Sequence, residues 1–182
     1  MANSDFYYGA YPAEYSNSLS GIFDMKMRNG NTTDFAHAVQ LGIWGFDLSS
    51  ERPINKKSGS SYLFNYRYSY SGLADKISGS DEGLNYQDLA FKINLPTKKL
   101  GTFTFWGIGL LDKIIQRPED DPKQWETSME RQEQKADFQK GAIGMAHTLS
   151  WNDNTYLRSN IGITFSGTKA ENHIYDNELN RI

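Results

Sequence analysis

Residues 62–70 alternate with a period of two, a pattern that a β-strand converts into two distinct faces. Tyr62, Phe64, Tyr66, Tyr68 and Tyr70 fall on one side, and Leu63, Asn65, Arg67 and Ser69 on the other. The pattern recurs. Leu89, Phe91, Ile93 and Leu95 alternate with Asp88, Ala90, Lys92 and Asn94. Ile143, Met145, Leu149 and Trp151 alternate with small and polar residues, as do Leu157, Ile161, Ile163 and Phe165. Two further segments, 39–48 and 103–110, change phase midway, from odd to even apolar positions. A bulge or glycine kink near Gly45 and Gly107 is expected there, or a strand passing between environments. The expectation is an all-β chain: an antiparallel up-and-down meander of about six long strands.

The connections between these strands alternate in length. Residues 55–59 are short, 72–83 long and polar, 96–101 short, 112–135 long and charged, and 152–154 very short. A meander with all its tight turns at one end and all its loops at the other produces this order, and outer-membrane barrels are built that way. Segments 138–151 and 156–169 also exceed the usual strand length. Trp151 and Tyr156 flank the tightest turn, where a barrel carries its aromatic girdle. Soluble sandwiches and lipocalin-like barrels share the same alternation.

Composition narrows the choice. Mean hydropathy is −0.65 and no run approaches 18 apolar residues, so a transmembrane helix is excluded while a transmembrane barrel is not. The chain has no cysteine, which removes disulfides, thiolate metal sites and a Cys nucleophile. A net charge of −3 implies no basic face for nucleic acid. The first residues lack the basic and apolar regions of a signal peptide, so the chain is expected to be cytoplasmic or cut from a longer precursor.

Few residues suggest chemistry. His37, His147 and His173 are not spaced as metal ligands. Glu119, Asp120 and Asp121, and separately Asp81 and Glu82, form acidic clusters, read first as solvated loops and second as weak calcium sites. Gly107 and Gly109 lack the rest of a dinucleotide fingerprint. No catalytic residue, metal or cofactor is expected. Arg67, Lys92, Arg158 and Asn160 lie on polar strand faces, and the tyrosine stripe of 62–70 is either a lipid-facing band or a sugar-stacking platform.

The first 31 residues differ from the rest. Pro12-Ala13-Glu14-Tyr15, then Leu19-Ser20-Gly21-Ile22-Phe23-Asp24-Met25, then Arg28-Asn29-Gly30 resembles the end of the plug domain of TonB-dependent outer-membrane receptors. Ala13, Glu14, Tyr15, Gly21 and Asp24 occupy the motif positions; the chain departs from the family at Ser16, where Gly is usual, and in having Asp24 where Asn is common. The resemblance implies that 1–31 end a plug and 32–182 begin a barrel of 22 strands with a plugged lumen. It implies a fragment of a receptor in a Gram-negative outer membrane, taking up a scarce small-molecule nutrient, with outer-membrane lipid as its surroundings. An energy-coupling complex would act through an absent N-terminal part, and a lipoprotein partner is possible. Arg67, Lys92, Arg158 and Asn160 would then face the lumen, and Arg117, Glu119, Asp120, Asp121 and Trp125 would sit on a loop that meets ligand or partner. The chain would not be an enzyme. The competing expectation is a soluble secreted or periplasmic β-sandwich that binds carbohydrate through surface aromatics; an autonomous small barrel, enzymatic or lipid-binding, ranks behind both for want of strands.

Overall fold

The computed structural model describes residues 4–9, 11–13, 15, 20–70, 83–119, 121–176, 178 and 181. Two short strands, β1 (Asp5–Tyr7) and β2 (Ile22–Asp24), pair antiparallel. Seven more form one antiparallel sheet in sequence order: β3 (Ala36–Gly42), β4 (Gly45–Asn55), β5 (Ser60–Ser69), β6 (Gly83–Pro96), β7 (Thr102–Gln116), β8 (Gln132–Asn152) and β9 (Thr155–Ile174). A single 3₁₀ turn, Pro122–Gln124, is the one helical element among the described residues. The all-β meander is thus present, with seven strands in place of six.

The extra strand comes from the phase change at 39–48. It is neither a bulge nor a kink but a hairpin, in which residues 43–44 alone separate β3 from β4. Leu41 pairs with Phe46 and Val39 with Leu48. Across a two-residue turn each odd position faces an even one, so one apolar face reads as a switch of parity. Gly45 closes this turn at φ 153, and a Cβ there would lie 2.2 Å from the Tyr68 carbonyl oxygen. The turn sits at the end where β5 leads towards β6 and β7 towards β8. Tight turns are therefore not confined to one end.

The second phase change, in β7, has another cause. The register from Thr102 to Gln116 runs without a break against both neighbours, so no bulge exists at Gly107. Glycine instead leaves room for an aromatic ring from the next strand. A Cβ at Gly107 would lie 2.4 Å from the Phe91 ring, and one at Gly141 would lie 2.2 Å from Phe165. On the opposite face Trp106 covers Gly144, whose Cβ would be 2.6 Å from the indole. A ring borrowed from β6 thus fills one face of β7 at Gly107, and β7's own Trp106 fills the other and reaches over β8. Its strand also runs to Gln116 and β8 starts at Gln132, so the charged connection is 117–131, shorter than the expected 112–135. The 72–83 connection lies, Gly83 apart, outside the described residues.

Cross-strand register sorts the side chains into two unlike faces. One face carries Val39, Leu48, Phe64, Tyr66, Leu89, Phe91, Phe105, Ile143, Met145, Ile161 and Ile163 in connected rows, with Arg52 and His37 towards one end. The other carries Asp47, Glu51, Asn65, Arg67, Asp88, Lys92, Asn94, Lys140, Arg158 and Asn160, among alanines, glycines and larger apolar residues such as Leu63, Trp106, Ile108 and Leu110. Among the described residues no apolar side chain is buried, and Val39, Leu41, Ile161 and Ile163 are each more than 60% exposed. The accessible surface is 13339 Å², against about 8,900 Å² for a compact monomer of this mass. The apolar face is complete but uncovered.

Two hairpin glycines test the turn geometry. Gly59 (φ +70) faces open space, whereas a Cβ on Gly101 (φ +75) would meet the Thr148 carbonyl oxygen at 2.2 Å. Gly59→Ala should cost about 1 kcal/mol and Gly101→Ala roughly 2–4 kcal/mol. The midpoint of chemical unfolding reads both, and equal losses would contradict the close approach.

Candidate functional site

The polar face holds an ordered set of charges. Asp47, Arg67 and Asp88 form one row across β4, β5 and β6. Arg67 Nε donates to Asp88 Oδ2 at 2.8 Å, and its guanidinium lies 5.6 Å from the Tyr86 ring centroid. Asp47 accepts from the Asn65 amide at 3.0 Å. Towards the 56–59 turn, Glu51, Leu63 and Lys92 form a second row. Asn94 accepts from Thr104 at 3.2 Å, one row further on. Across the sheet an open hollow of about 600 Å³ is lined by Arg67, Tyr86, Asp88, Ile108 and Lys140.

The N-terminal segment is fastened to the second row. Arg28 makes a two-pronged pair with Glu51, at 2.5 and 2.8 Å, and the Asn31 amide donates to the same carboxylate at 2.9 Å. Lys92 Nζ donates to the Met27 carbonyl at 2.7 Å. Gly30 is buried against the β5 backbone, where a Cβ would fall 1.9 Å from the Tyr62 carbonyl oxygen. Residues 27–31 therefore form a strap across the polar face, held by a fork, an ammonium and a glycine-only contact. The Glu51 hydrogen bond pushes the Arg28 guanidinium above its ordinary pKa. Lys26, just before the strap, bridges Asp5 at 3.0 Å and Asp24 at 3.4 Å, and these hydrogen bonds, Asp5 first, raise its ammonium above the usual value. Without that bridge Asp5 and Asp24, which face each other across β1 and β2, would repel.

The sequence-predicted residues fall into three groups. Arg67, Lys92, Arg158 and Asn160 share the polar face but occupy four different rows on three strands; Arg158 and Asn160 stand exposed on the edge strand β9. Of the segment resembling a plug end, Tyr15 donates its amide to Pro12 and sets its ring 5.7 Å from Tyr7. Gly21 lies against the Phe6 ring, Ala13 is exposed, and Asp24 ends β2. Glu14 lies outside the described residues. The third group occupies the 117–131 loop. Trp125 Nε1 donates to the Glu119 carbonyl at 2.9 Å, and the Glu119 amide donates to the Glu130 carbonyl at 2.7 Å. Asp121 accepts from the Lys123 amide and so caps the 3₁₀ turn. Arg117 is exposed at the loop start, and Asp120 lies outside the described residues.

No three acidic or histidine side chains among the described residues converge as metal ligands. His147 stacks on Phe103 at 4.4 Å and donates to the Leu100 carbonyl, His37 lies near Phe35, and His173 lies beside Arg181. The strap anchors Glu51 and Asn31 and the Arg67 partner Asp88 were not among the expected site residues. The signal for Glu51 is parity: once 43–44 is read as a two-residue turn, Glu51 falls on the Lys92 side. Comparison with protein-family models, curated proteins and solved structures found no match.

Apart from the Gly30 contact the strap is held by polar bonds, and Glu51 is their hub. Glu51→Gln keeps an acceptor but removes the charge, a loss of about 1 kcal/mol for a partly exposed fork. Tryptic cleavage after Arg28 should quicken about fivefold, while Glu119→Gln should leave that rate unchanged.

Proposed function

We propose that this chain is a portion of an outer-membrane receptor and transporter that takes up a scarce nutrient by energy-coupled transport. The observation that carries the reading is the contrast between the two faces of one sheet. Among the described residues the apolar face has no protein against it, and the polar face has the N-terminal strap seated on it. A hydrocarbon surround would cover the first, and a plugged lumen would enclose the second. In this reading residues 1–31 end the plug and 32–182 start the barrel. The strap bonds from Arg28 and Met27 to Glu51 and Lys92 hold plug to wall. The hollow beside Arg67 and Asp88 lies on the nutrient's path, and the 117–131 loop, braced by Trp125, meets nutrient or partner protein at the outer surface.

The alternative, a soluble carbohydrate-binding sandwich, needs a second sheet over the apolar face. Among the described residues the only other sheet is the two-stranded pair β1–β2. The tyrosine stripe also spends hydroxyls within the protein, Tyr66 on Gln87 and Tyr62 with Ser50.

The absence of cysteine makes single labels simple. In the full protein in its membrane, a nitroxide on Leu89→Cys should collide with oxygen and not with a water-soluble nickel chelate. One on the adjacent Ala90→Cys should meet the chelate. Equal access of the chelate to both positions, or recovery of the protein in a soluble cell fraction, would overturn the proposal.

A further inference from the structure

The two hairpin tips at the end of the sheet opposite the 117–131 loop carry a cluster of lysines. Lys56 and Lys57 form the 56–59 tip, and Lys98 and Lys99 the 97–101 tip. All four side chains are exposed, and none has an ion-pair partner among the described residues. The tips are two strand spacings apart, about 10 Å, a little beyond the Debye length of about 8 Å at physiological salt and well inside the length of about 30 Å at low salt. The two lysines of each tip act together, and at low salt the four charges act as one patch. Arg52, exposed on the apolar face beside Tyr62, extends it.

Both tips are stiff. The Asn55 side chain accepts from the Lys57 amide at 2.9 Å, and Ser58 Oγ donates to the Asn55 carbonyl and shares a bond with Ser60 Oγ. Thr97 receives the Leu100 amide at 3.0 Å and donates its own amide and hydroxyl to the Gly101 carbonyl. Acidic groups at this end offset part of the patch. Glu51 is taken up by Arg28, but Asp34, which accepts from the neighbouring Thr33 hydroxyl, and Asp153, on the tip next to 97–101, set two carboxylates against the four lysines. Apolar and aromatic side chains lie at the same level: Ile54, Leu100 and Trp151 are all more than half exposed, while Tyr156 falls on the polar face with Arg158.

We infer that this end of the sheet docks on the anionic phospholipid headgroups of the leaflet it faces, through Lys56, Lys57, Lys98 and Lys99. Lysines placed beyond an apolar band, with aromatic side chains at the boundary, meet a layer of phosphate with hydrocarbon next to it. Rigid turns lower the ordering cost of that contact. The inference rests on the membrane reading and adds to it the lipid class that one end selects.

The test uses the full chain folded into phosphatidylcholine vesicles that contain either phosphatidylglycerol or phosphatidylethanolamine bearing a quencher. A fluorophore is placed on Ser58→Cys. Quenching by the phosphatidylglycerol probe should exceed that by the other at low salt, since each lysine near an anionic surface is worth about fivefold in local binding. Replacing all four lysines by glutamine should lower the preference roughly tenfold or more, and high salt should erase it. An inserted protein quenched equally by both lipids, or a preference that survives the fourfold replacement, would overturn the inference and leave the membrane reading standing. A chain that binds phosphatidylglycerol vesicles through the lysines yet leaves a Leu89→Cys label open to the aqueous chelate would support the docking surface and overturn the membrane reading.

Discussion

The uncovered apolar face governs the rest of the molecule. Backbone pairing satisfies the interior strands of the sheet, but pairing alone does not bury side chains. Each Leu, Ile or Phe on this face is worth about 1.5–3 kcal/mol once removed from water. Val39, Leu41, Ile161 and Ile163 gain little of that from the protein itself. A seven-stranded sheet with such a face needs an apolar medium or a second layer against it, and the chain's other described strands are too few and too short to be that layer.

The polar face solves the opposite problem. Three of its charges are met within the sheet or by the strap: Arg67 by Asp88, Glu51 by Arg28, and Lys92 by the Met27 carbonyl. Such contacts are modest in energy when partly exposed. That suits a segment that is held in register and can still be released, because no apolar core has to be torn open to free it. Gly30 fixes where the strap lies, since any side chain there would strike the Tyr62 carbonyl.

Much of this was legible in the residue pattern, and the failures have specific causes. The alternation of 62–70 and 157–165 reported faces correctly because those strands carry one residue type per side. At 39–48 the same rule misled, because a turn of two residues changes parity without interrupting the pattern. At 103–110 it misled for a different reason: Gly107 hid the apolar face that Phe91 supplies from β6, while Trp106 used the space over Gly144 on the other side. A single strand's pattern cannot show a ring borrowed from its neighbour. The acidic residues of the 117–131 loop were visible as a cluster, yet Asp121 caps a turn and Glu130 receives backbone amides.

The sequence by itself determined the strand class, the two chemically different faces and the position of the long charged loop, because period-two alternation and turn chemistry are local properties of the chain. Only the tertiary structure decided that 39–48 is a hairpin, that Glu51 and Lys92 share a row, and that Arg28 reaches them. Those facts depend on register between strands and on contacts between residues 23 and 65 positions apart, which no local pattern encodes. The same holds for the lysines of 56–59 and 97–101: separate turns in the chain become one charged end when the meander brings their tips to the same edge.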